Sequence, residues 1–350
     1  MSFIEELPGE IAGFVVSQFT AEYATVSSAG VPIDTPTLFF PSADLTTLDL
    51  MTGLAYPMKA ERARKNPKVG LLVEGADDQP VVSIAGLATV RDSDFQANLE
   101  RYITETIVTP VLNPDVVDWN AVRQAVTYLT RILVCITPTH IRWWKDHAAM
   151  DQPPQEWRAP TGLKAAPSDP VPPGKPSEAA KWPHPPWTEL AERAIAKGDV
   201  GHVTLCDGDG YPLPVRAGKI TRTGAGFDFV VPKGAPWLNG KASLSFRGRE
   251  MFVGEVVLQN GRGAFRVERS LPILPLADDF TQVITPNEEN KAKLMKRLLH
   301  ELGRRGKSIP VVPEKPPQPT AGALRRVAGA GGRDPEQFAK IAESLRPGKG

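Results

Sequence analysis

Four apolar, β-rich runs and one basic segment occupy residues 31–90 and constrain the fold more than any other part of the chain. The runs cover residues 31–40, 45–51, 68–74 and 81–90, and the basic segment covers residues 59–65. Short apolar runs with this spacing predict antiparallel β-strands. A cationic crossover between such strands can form a phosphate site, because the strands supply a wall and the cations neutralise a dianion.

Four short motifs in this region occur in the order and spacing of a known protein family. The first is Gly30-Val31-Pro32 followed by Thr35-Pro36, and the second is Met51-Thr52 at a strand end. The third joins Tyr56-Pro57-Met58-Lys59-Ala60 to Asn66-Pro67-Lys68-Val69, and the fourth is Ile84-Ala85-Gly86-Leu87-Ala88-Thr89-Val90. Together they resemble the split-barrel flavoprotein superfamily, the pyridoxamine 5′-phosphate oxidase-like proteins. The family's serine before the lysine is absent, since Pro57 and Met58 occupy that region.

Length and charge limit the class of protein. A chain of 350 residues is long enough for two domains with separate cores. Its 41 lysines and arginines balance 40 aspartates and glutamates, so the overall charge does not indicate a nucleic-acid partner. The N-terminus carries acids where a signal peptide carries bases, and no run approaches the roughly 18 apolar residues of a membrane span. We therefore expect a soluble, cytoplasmic protein that does not contact a membrane.

The cysteines and histidines give no metal motif. Cys135 and Cys206 lie in apolar, strand-like runs, which predicts buried free thiols rather than a disulfide. Neither a C-x-x-C nor an H-E-x-x-H pattern occurs, and no pair among the five histidines has the spacing of a metal site or a catalytic triad. We therefore predict no metal centre and name no catalytic residue.

The second half of the chain looks like a shortened copy of the first. Gly210-Tyr211-Pro212 follows Gly30-Val31-Pro32 at an offset of 180 residues, and residues 202–206 match residues 22–26 at the same offset. Residues 241–246 match 68–73, and residues 252–258 match 84–90 with Gly254 on Gly86. The shrinking offset indicates a deletion that removes the counterpart of the basic segment, which residues 233–237 replace. We therefore expect no phosphate site of the same kind in the second copy.

The predicted fold is α+β and mainly antiparallel β, with two tandem split β-barrels and flanking helices. Residues 1–150 form the first barrel with its basic phosphate loop, and residues 188–303 form the second, shortened barrel. The resemblance implies an intrachain pseudo-dimer, because split-barrel proteins usually pair as homodimers with flavin between the barrels. A homodimer of the whole chain remains a second option.

The two remaining segments are rich in proline or glycine. Residues 151–187 contain eleven prolines and are read as a linker that neither pairs in a sheet nor continues as helix, because proline lacks the N–H donor and fixes φ. Residues 304–350 form a tail with a short terminal helix from Asp334. Before the tail, Thr285 as N-cap and Pro286 at the first helical position predict a helix that stops at Gly303.

The resemblance also gives candidate cofactor-binding residues. Lys59 is the leading phosphate ligand, as a point charge that meets a dianion. Arg62 and Arg64 are further candidates, and the alternative for both is a solvated basic turn. Thr35 and Thr52 hold strand positions where the family contacts flavin by backbone and hydroxyl groups, and plain strand threonines are the alternative.

Three further residues complete this set. Trp143 and Trp144 are candidates for stacking on the flavin ring, but successive strand residues face opposite sides, so at most one reaches the site and the other packs in the core. Arg216 stands where Pro36 stands in the first copy. It could reach across the pseudo-dimer interface to the cofactor, and a surface role is the alternative.

The leading hypothesis is an FMN-dependent oxidoreductase that acts on a small organic substrate. A deazaflavin is a variant cofactor, because related barrels bind either. A second hypothesis is a non-catalytic or heme-handling binding protein, with one histidine as axial ligand. A third is an interaction protein that acts through its proline-rich segments.

Overall fold

The computed structural model describes residues 3–177, 185–234, 237–246, 250–271 and 287–330. Within these ranges the chain forms two closed six-stranded antiparallel β-barrels with helices packed around them. The predicted α+β fold, mainly antiparallel β and built of two tandem barrels, is therefore confirmed.

The first barrel closes through its third and sixth strands. Its strands are β1 (Thr20–Val26), β2 (Pro32–Pro41), β3 (Leu48–Gly53), β4 (Lys68–Glu74), β5 (Val81–Arg91) and β6 (Arg131–Trp144). They lie in the order β3-β2-β1-β4-β5-β6, and β3 pairs with β6 to close the sheet. Alternate side chains such as Leu48 and Leu50 point into the barrel and are completely buried, as period-two patterning requires.

Helices cover the outside of this barrel. They are α1 (Gly9–Ser17), α2 (Met58–Lys65), α3 (Phe95–Thr106), α4 (Trp119–Gln124) and α5 (Val126–Leu129), and a 3-10 turn covers Phe3–Glu6. The apolar residues Leu99 and Ile103 of α3 pack with Met51, whose side chain leaves the opposite face of β3 from Leu50. Helix α2 is the predicted basic segment, and it joins β3 to β4.

The second barrel has the same number of strands in an equivalent order. Helix α6 (Trp187–Lys197) precedes it and ends at Gly198, whose φ of 65° supplies a left-handed cap. Its strands are β8 (Gly201–Cys206), β9 (Pro212–Arg222), β10 (Gly226–Val230), β11 (Gly240–Phe246), β12 (Glu250–Gln259) and β13 (Arg262–Ser270). They close in the order β10-β13-β12-β11-β8-β9.

The repeat predicted from the sequence is visible at two glycines. A β-bulge in the β5–β6 ladder lies between Ala85 and Gly86, and one in the β12–β13 ladder lies between Val253 and Gly254. A Cβ atom on Gly86 would lie 2.9 Å from the carbonyl oxygen of Thr137, and one on Gly254 would lie 1.9 Å from that of Arg266. Glycine at a bulge lets the neighbouring strand approach closely. The same local device at aligned positions supports two copies of one unit.

The two barrels pack against each other as a pseudo-dimer. The Lys68 Nζ atom donates to the Asp209 carbonyl at 2.6 Å, and the equivalent Lys241 Nζ atom donates to the Ala29 carbonyl at 2.6 Å. In each pair, a lysine near the start of the fourth strand of one barrel contacts the first hairpin of the other barrel. A reciprocal contact of this kind is what an isologous two-fold interface produces.

The predicted linker pairs in part with the first sheet, so the expectation of no sheet pairing there is wrong. Strand β7 (Gln155–Arg158) pairs antiparallel with β6. These four residues contain no proline, so their N–H donors remain available to the ladder. Further along, Thr89 Oγ1 donates to the Ala166 carbonyl at 2.7 Å, and the Val90 amide donates to Ser168 Oγ at 2.9 Å. This segment therefore lies along the edge of the first barrel.

The helix predicted from Thr285 to Gly303 has different ends in the structure. Helix α7 (Glu288–Arg305) has Asn287 as N-cap, whose side chain accepts from the Asn290 amide at 2.9 Å. Residues 285 and 286 lie outside the described residues. The helix continues through Gly303 and ends at Gly306, which has a φ of 59°. An interior glycine costs only about 1 kcal/mol, and Gly306 supplies the left-handed cap, so the helix extends to it.

The tail packs on the first barrel. Helix α8 (Ala321–Ala330) places Arg326 against Glu105, and the indole N–H of Trp119 donates to the Pro313 carbonyl at 3.0 Å. The terminal helix predicted from Asp334 lies outside the described residues. These contacts make residues 308–327 part of the folded body.

Two smaller expectations concern the cysteines and the membrane. Cys135 and Cys206 are both free thiols, as predicted, and each is half-buried rather than fully buried. Burial, followed by the charge of the neighbouring Asp49, raises the pKa of Cys135 to about 12. Among the helices described, none combines the length and the apolar character needed to cross a bilayer.

Candidate phosphate-binding site

Helix α2 begins at a turn that no side chain caps. Pro57 is its N-cap residue, and proline has no side-chain acceptor for the first N–H groups. The preceding loop follows directly from Thr52 and Gly53 at the end of β3. The start of α2 therefore directs backbone donors and the positive end of the helix dipole toward the space beside β3.

Three basic side chains lie around this turn, and we call them the cation cluster: Lys59, Arg62 and Arg131. All three are half-buried, and none has an ion-pair partner in the described part of the chain. Arg62 donates from Nε to Thr25 Oγ1 at 2.7 Å. Burying charge without a counterion is unfavourable, so the cluster is suited to an anion that supplies one.

Aromatic side chains hold Arg131 in place. Its guanidinium lies 4.0 Å from the ring centre of Tyr128 and 4.5 Å from that of Tyr102. Its Nη1 atom lies 3.6 Å from the position of a Cβ on Gly53. The two rings lie against the guanidinium, whose Nη2 donates to the Tyr102 hydroxyl at 3.4 Å, and its Nη1 lies at Gly53, the residue after Thr52.

The electrostatics of Lys59 reflect this surplus of positive charge. Burial, followed by the charges of Arg62 and Arg131, lowers the pKa of Lys59 to about 8, against the opposing influence of Glu22 and Asp34. A neighbouring anion favours the charged form of an amine. The position of Lys59 is therefore electrostatically prepared for a phosphate group.

The nearby acids do not neutralise the cluster fully, because burial favours their protonated forms. Burial raises the pKa of Glu22 to about 8, and burial also raises that of Asp34. Asp34 Oδ1 accepts from Thr204 Oγ1 at 2.7 Å and from Ser243 Oγ at 3.2 Å, so second-barrel residues hold this first-barrel carboxyl. The acids lie at the barrel interface, next to the cluster.

Arg64 is engaged elsewhere. Its Nη2 atom lies 2.8 Å from Asp92 Oδ1, and its Nη1 atom donates to the Asp169 carbonyl. Asp92 also pairs with Arg305 of α7, whose Nε lies 2.9 Å from Asp92 Oδ2. Because this buried ion-pair network ties α2 to the C-terminal helix, we leave Arg64 out of the proposed site.

The two threonines lie at the edges of the candidate site. Thr52 is buried in β3, one residue before the Gly53 that faces Arg131. Thr35 is half-buried and sits opposite Tyr23 in the β1–β2 ladder. Burial raises the pKa of the Tyr23 hydroxyl, and the charge of Arg62 acts against that rise. Both threonines stay candidates for cofactor contact.

The two tryptophans face different cores. Trp143 packs in the interior of the first barrel, with Ile84 and Ile141 among its cluster. Trp144 packs with second-barrel residues such as Leu205, and its Nε1 donates to the Gln152 carbonyl at 2.9 Å. The expectation that they point to opposite sides holds, and both are more than nine-tenths buried.

Arg216 crosses between the barrels but meets carboxylates rather than the cation cluster. Its Nη1 donates to Asp77 Oδ1 at 2.6 Å, and its Nη2 donates to Glu74 Oε1 at 3.2 Å. Glu74 also accepts from His202 Nε2, 2.8 Å away, when that nitrogen carries the proton. Arg216 therefore ties the second barrel to the first. In the alignment of the two copies, it holds the position that corresponds to Pro36.

The corresponding turn of the second barrel is closed. The Lys233 amide donates to Asp151 Oδ1 at 3.1 Å, and the Gly234 amide donates to the Met150 carbonyl at 3.0 Å. A Cβ on Gly234 would lie 2.1 Å from the Gln152 carbonyl oxygen. Carbonyl oxygens from the first domain thus fill the space at this turn, and they would repel a phosphate.

Arg131 is a member of the cluster that sequence reasoning missed. It stands at the start of β6, and β6 is brought beside β3 only when the barrel closes. Its partners Tyr102 and Tyr128 come from α3 and α5. The sequence offered one signal, because Arg131 is a basic residue at the start of an apolar, strand-like run. Nothing local in the sequence links Arg131 to Lys59.

The described residues contain no group of three or more His, Cys, Asp or Glu side chains arranged to hold a metal ion. Three of the histidines lie beside glutamates: His140 Nε2 is 2.6 Å from Glu156, His202 Nε2 is 2.8 Å from Glu74, and His147 Nε2 is 3.5 Å from Glu74. These rings are part of polar networks within the protein.

No family model and no curated protein matches the chain. A conserved hypothetical protein from Mycobacterium tuberculosis matches at 27% identity and TM-score 0.32, over 42% of this chain and 89% of its own. A pyridoxamine 5′-phosphate oxidase-related, FMN-binding protein from Nostoc punctiforme matches at 14% identity and TM-score 0.29, over 39% and 82%. A heme storage protein from Vibrio cholerae matches at 15% identity and TM-score 0.28, over 38% and 89%.

Proposed function

We propose that the protein is a flavin-dependent oxidoreductase that binds FMN at one site per chain and acts on a small organic substrate. The observation that carries this proposal is the cation cluster of Lys59, Arg62 and Arg131. These three cations are half-buried, have no carboxylate partner within the described ranges of the chain, and lie next to an uncapped helix start. They match the charge and hydrogen-bonding needs of a phosphate monoester dianion.

Each residue of the cluster has a distinct part in holding that group. Lys59 supplies a compact charge with three rotatable donors, whereas Arg62 and Arg131 supply planar donor sets held by Thr25 and by two tyrosine rings. The backbone at the start of α2 adds N–H donors. When bound, the flavin supplies the redox chemistry, and the chain supplies position, charge and exclusion of water.

The closed turn of the second barrel supports a single site. The second copy lacks the counterparts of Lys59 and Arg62, and residues 150–152 of the first domain cover the turn that would hold the phosphate. We therefore expect one equivalent of cofactor per chain, where a symmetric pair of barrels would hold two.

Two alternatives keep the fold and change the ligand. A deazaflavin cofactor also carries a phosphate group, and the same cations would contact it. A non-catalytic or heme-handling scaffold is supported less well, because His140, His147 and His202 already lie beside glutamates. The cofactor itself separates these cases.

The test is an absorbance spectrum of the protein purified from cells, with mass spectrometry of the small molecules released by heat. A two-band flavin spectrum and released FMN at one equivalent per chain are expected. A single band at shorter wavelength, resolved by mass into deazaflavin or heme, would replace the FMN assignment. A colourless protein that fails to take up added FMN would overturn the proposal and leave a binding scaffold.

A further inference from the structure

A polar cavity lies at the seam between the two barrels. It measures about 300 Å³ and is lined by Lys68, Thr139 and His140 of the first barrel, by Arg158 of strand β7, and by Asp209 and Tyr211 of the second barrel. We call it the seam cavity. Its size is at the lower end of the range for small-molecule sites.

The pseudo-two-fold axis relates the seam cavity to a second place on the seam, and that place contains no such space among the residues that the structure describes. The packing of the two barrels therefore does not by itself require a cavity. The lysine equivalent to Lys68 is Lys241, and it makes the same hydrogen bond to the opposite hairpin. Beside that second contact, the seam is filled by the apolar side chains of Val31, Ile33, Met251 and Val253. The two related places have therefore diverged, one into a packed apolar contact and the other into a polar space.

The lining of the seam cavity offers cationic donors. Lys68 Nζ donates to the Asp209 carbonyl and lies 5.4 Å from the ring centre of Tyr211, and no ion-pair partner for it exists among the described residues. The Arg158 side chain is 60% exposed and has one partner, Glu156, at 3.3 Å. Both side chains retain N–H donors that an anion entering the cavity would accept.

Most of the carboxylates around the seam cavity already lie beside a basic side chain. Glu156 is shared between Arg158 and His140, and Asp207, behind the hairpin, lies 3.6 Å from Arg142. Asp209 is exposed and leaves the opening of the cavity polar. The Thr139 hydroxyl donates to the Ala85 carbonyl, which leaves its oxygen free to accept.

We propose that the seam cavity binds a small organic anion whose carboxylate or phosphate group is held by Lys68 and Arg158. The hydroxyl groups of Thr139 and Tyr211 contact the rest of the ligand. This proposal does not depend on the FMN proposal, because none of the residues that line the seam cavity belongs to the cation cluster.

The test is isothermal titration of the full chain with inorganic phosphate and, separately, with succinate, which distinguishes phosphate from carboxylate recognition. Lys68→Met and Arg158→Gln are each expected to weaken binding about tenfold or more, the usual effect of losing a charge-assisted hydrogen bond. Lys241→Met is the matched control, since it removes the same seam hydrogen bond without touching the cavity, and it should bind as wild type does. Lys59→Met should retain the site that depends on Lys68.

Each contrary result is distinct. Equal weakening in Lys68→Met and Lys241→Met would mean that the seam, and not the cavity, governs binding, and would overturn the proposal. So would wild-type affinity in either Lys68→Met or Arg158→Gln, or the absence of saturable binding of both anions. Binding lost in Lys59→Met alone would assign the anion to the cation cluster instead.

Discussion

Glu22 and His202 occupy equivalent positions in the two copies of the repeat, and they meet each other. The Glu22 Oε1 and His202 Nδ1 atoms lie 3.7 Å apart, in the buried interface between the barrels. A residue that contacts its own counterpart lies on the two-fold axis of a dimer. In a homodimer of the first copy, two carboxylates would face each other there. Joining both copies in one chain allows the position to hold a carboxylate and an imidazole instead.

Replacement of Glu22 by glutamine is expected to flatten the pH dependence of stability. The pKa of Glu22 in the folded protein is about 8, above its ordinary 4.5, so the folded state binds more protons than the unfolded state between these values. The free energy of unfolding therefore falls as pH rises through this window, by up to about 1.4 kcal/mol per pH unit. Glu22→Gln stays neutral and removes this fall.

Urea unfolding of wild type and Glu22→Gln across the window measures this effect. Although burial acts to lower the pKa of His202, its hydrogen bond to Glu74 and the charges of Glu22 and Glu74 raise it above 6.5, so a smaller fall of the same sign remains in the variant. Glu268→Gln, at an exposed strand position, is the control and should keep the wild-type slope. An unchanged slope in Glu22→Gln would mean that this carboxyl is ionised in the folded protein.

Lys59→Met should weaken FMN binding by roughly 1.5–3 kcal/mol, because it removes a charge-assisted hydrogen bond to phosphate. Fluorescence titration with FMN measures the dissociation constant. Lys65→Met, at an exposed position of the same helix, is the matched control and should bind FMN as wild type does. Equal effects of the two substitutions would show that only the general charge of α2 matters.

FMN binding should weaken as pH rises above about 8. The pKa of Lys59 is about 8 without an anion, and a bound phosphate raises it, so the charged form binds more tightly and is lost at higher pH. The dissociation constant, measured from about pH 6.5 to about pH 9.5, should rise by up to tenfold per unit above the pKa. Lys59→Arg should not show this rise, because arginine stays charged. A wild-type profile that is flat above pH 8 would contradict the role of Lys59.

Gly70→Ala should destabilise the protein by about 1–3 kcal/mol or more, the cost of overpacking. A Cβ on Gly70 in β4 would lie 1.7 Å from the Pro212 carbonyl oxygen in β9. The carbonyl belongs to the backbone of a paired strand, which cannot move away easily. Gly13→Ala in α1 is the control, since its Cβ meets nothing within 4 Å, and it should stabilise by about 0.5–1 kcal/mol. Denaturant midpoints measure both. Wild-type stability of Gly70→Ala would contradict the close packing of the two barrels.

Arg326→Met should cost about 3–5 kcal/mol, because it leaves Glu105 without its buried partner. Arg326 pairs with the Glu105 carboxylate and donates to the Glu105 carbonyl at 3.2 Å. Its neighbour Arg325 is exposed, so Arg325→Met is the control and should have little effect on the thermal midpoint. If both variants were equally stable, the tail would not contribute to the fold, and an interaction role for it would gain support.

The strands of the first barrel and the internal repeat could be predicted because their signals are local. The apolar runs show where the strands fall, Gly86 and Gly254 align the two copies, and a strand's period of two gives opposite directions to Trp143 and Trp144. The basic segment was found for the same reason. Its two arginines could not be told apart, because Arg62 meets Thr25 while Arg64 meets Asp92 and Asp169, and these partners are distant in sequence.

The sequence by itself determined which segments form strands, that two copies of one barrel follow each other, and that Lys59 sits on a basic crossover. Tertiary structure alone decided that Arg131 joins Lys59, that Arg216 meets Glu74 and Asp77, and that Lys68 lines a cavity while Lys241 does not. The physical reason is the distance along the chain over which each kind of interaction acts. Periodicity, turn chemistry and helix caps act over a few residues, whereas the neighbours of a charged side chain are set by barrel closure and by the packing of one barrel on the other.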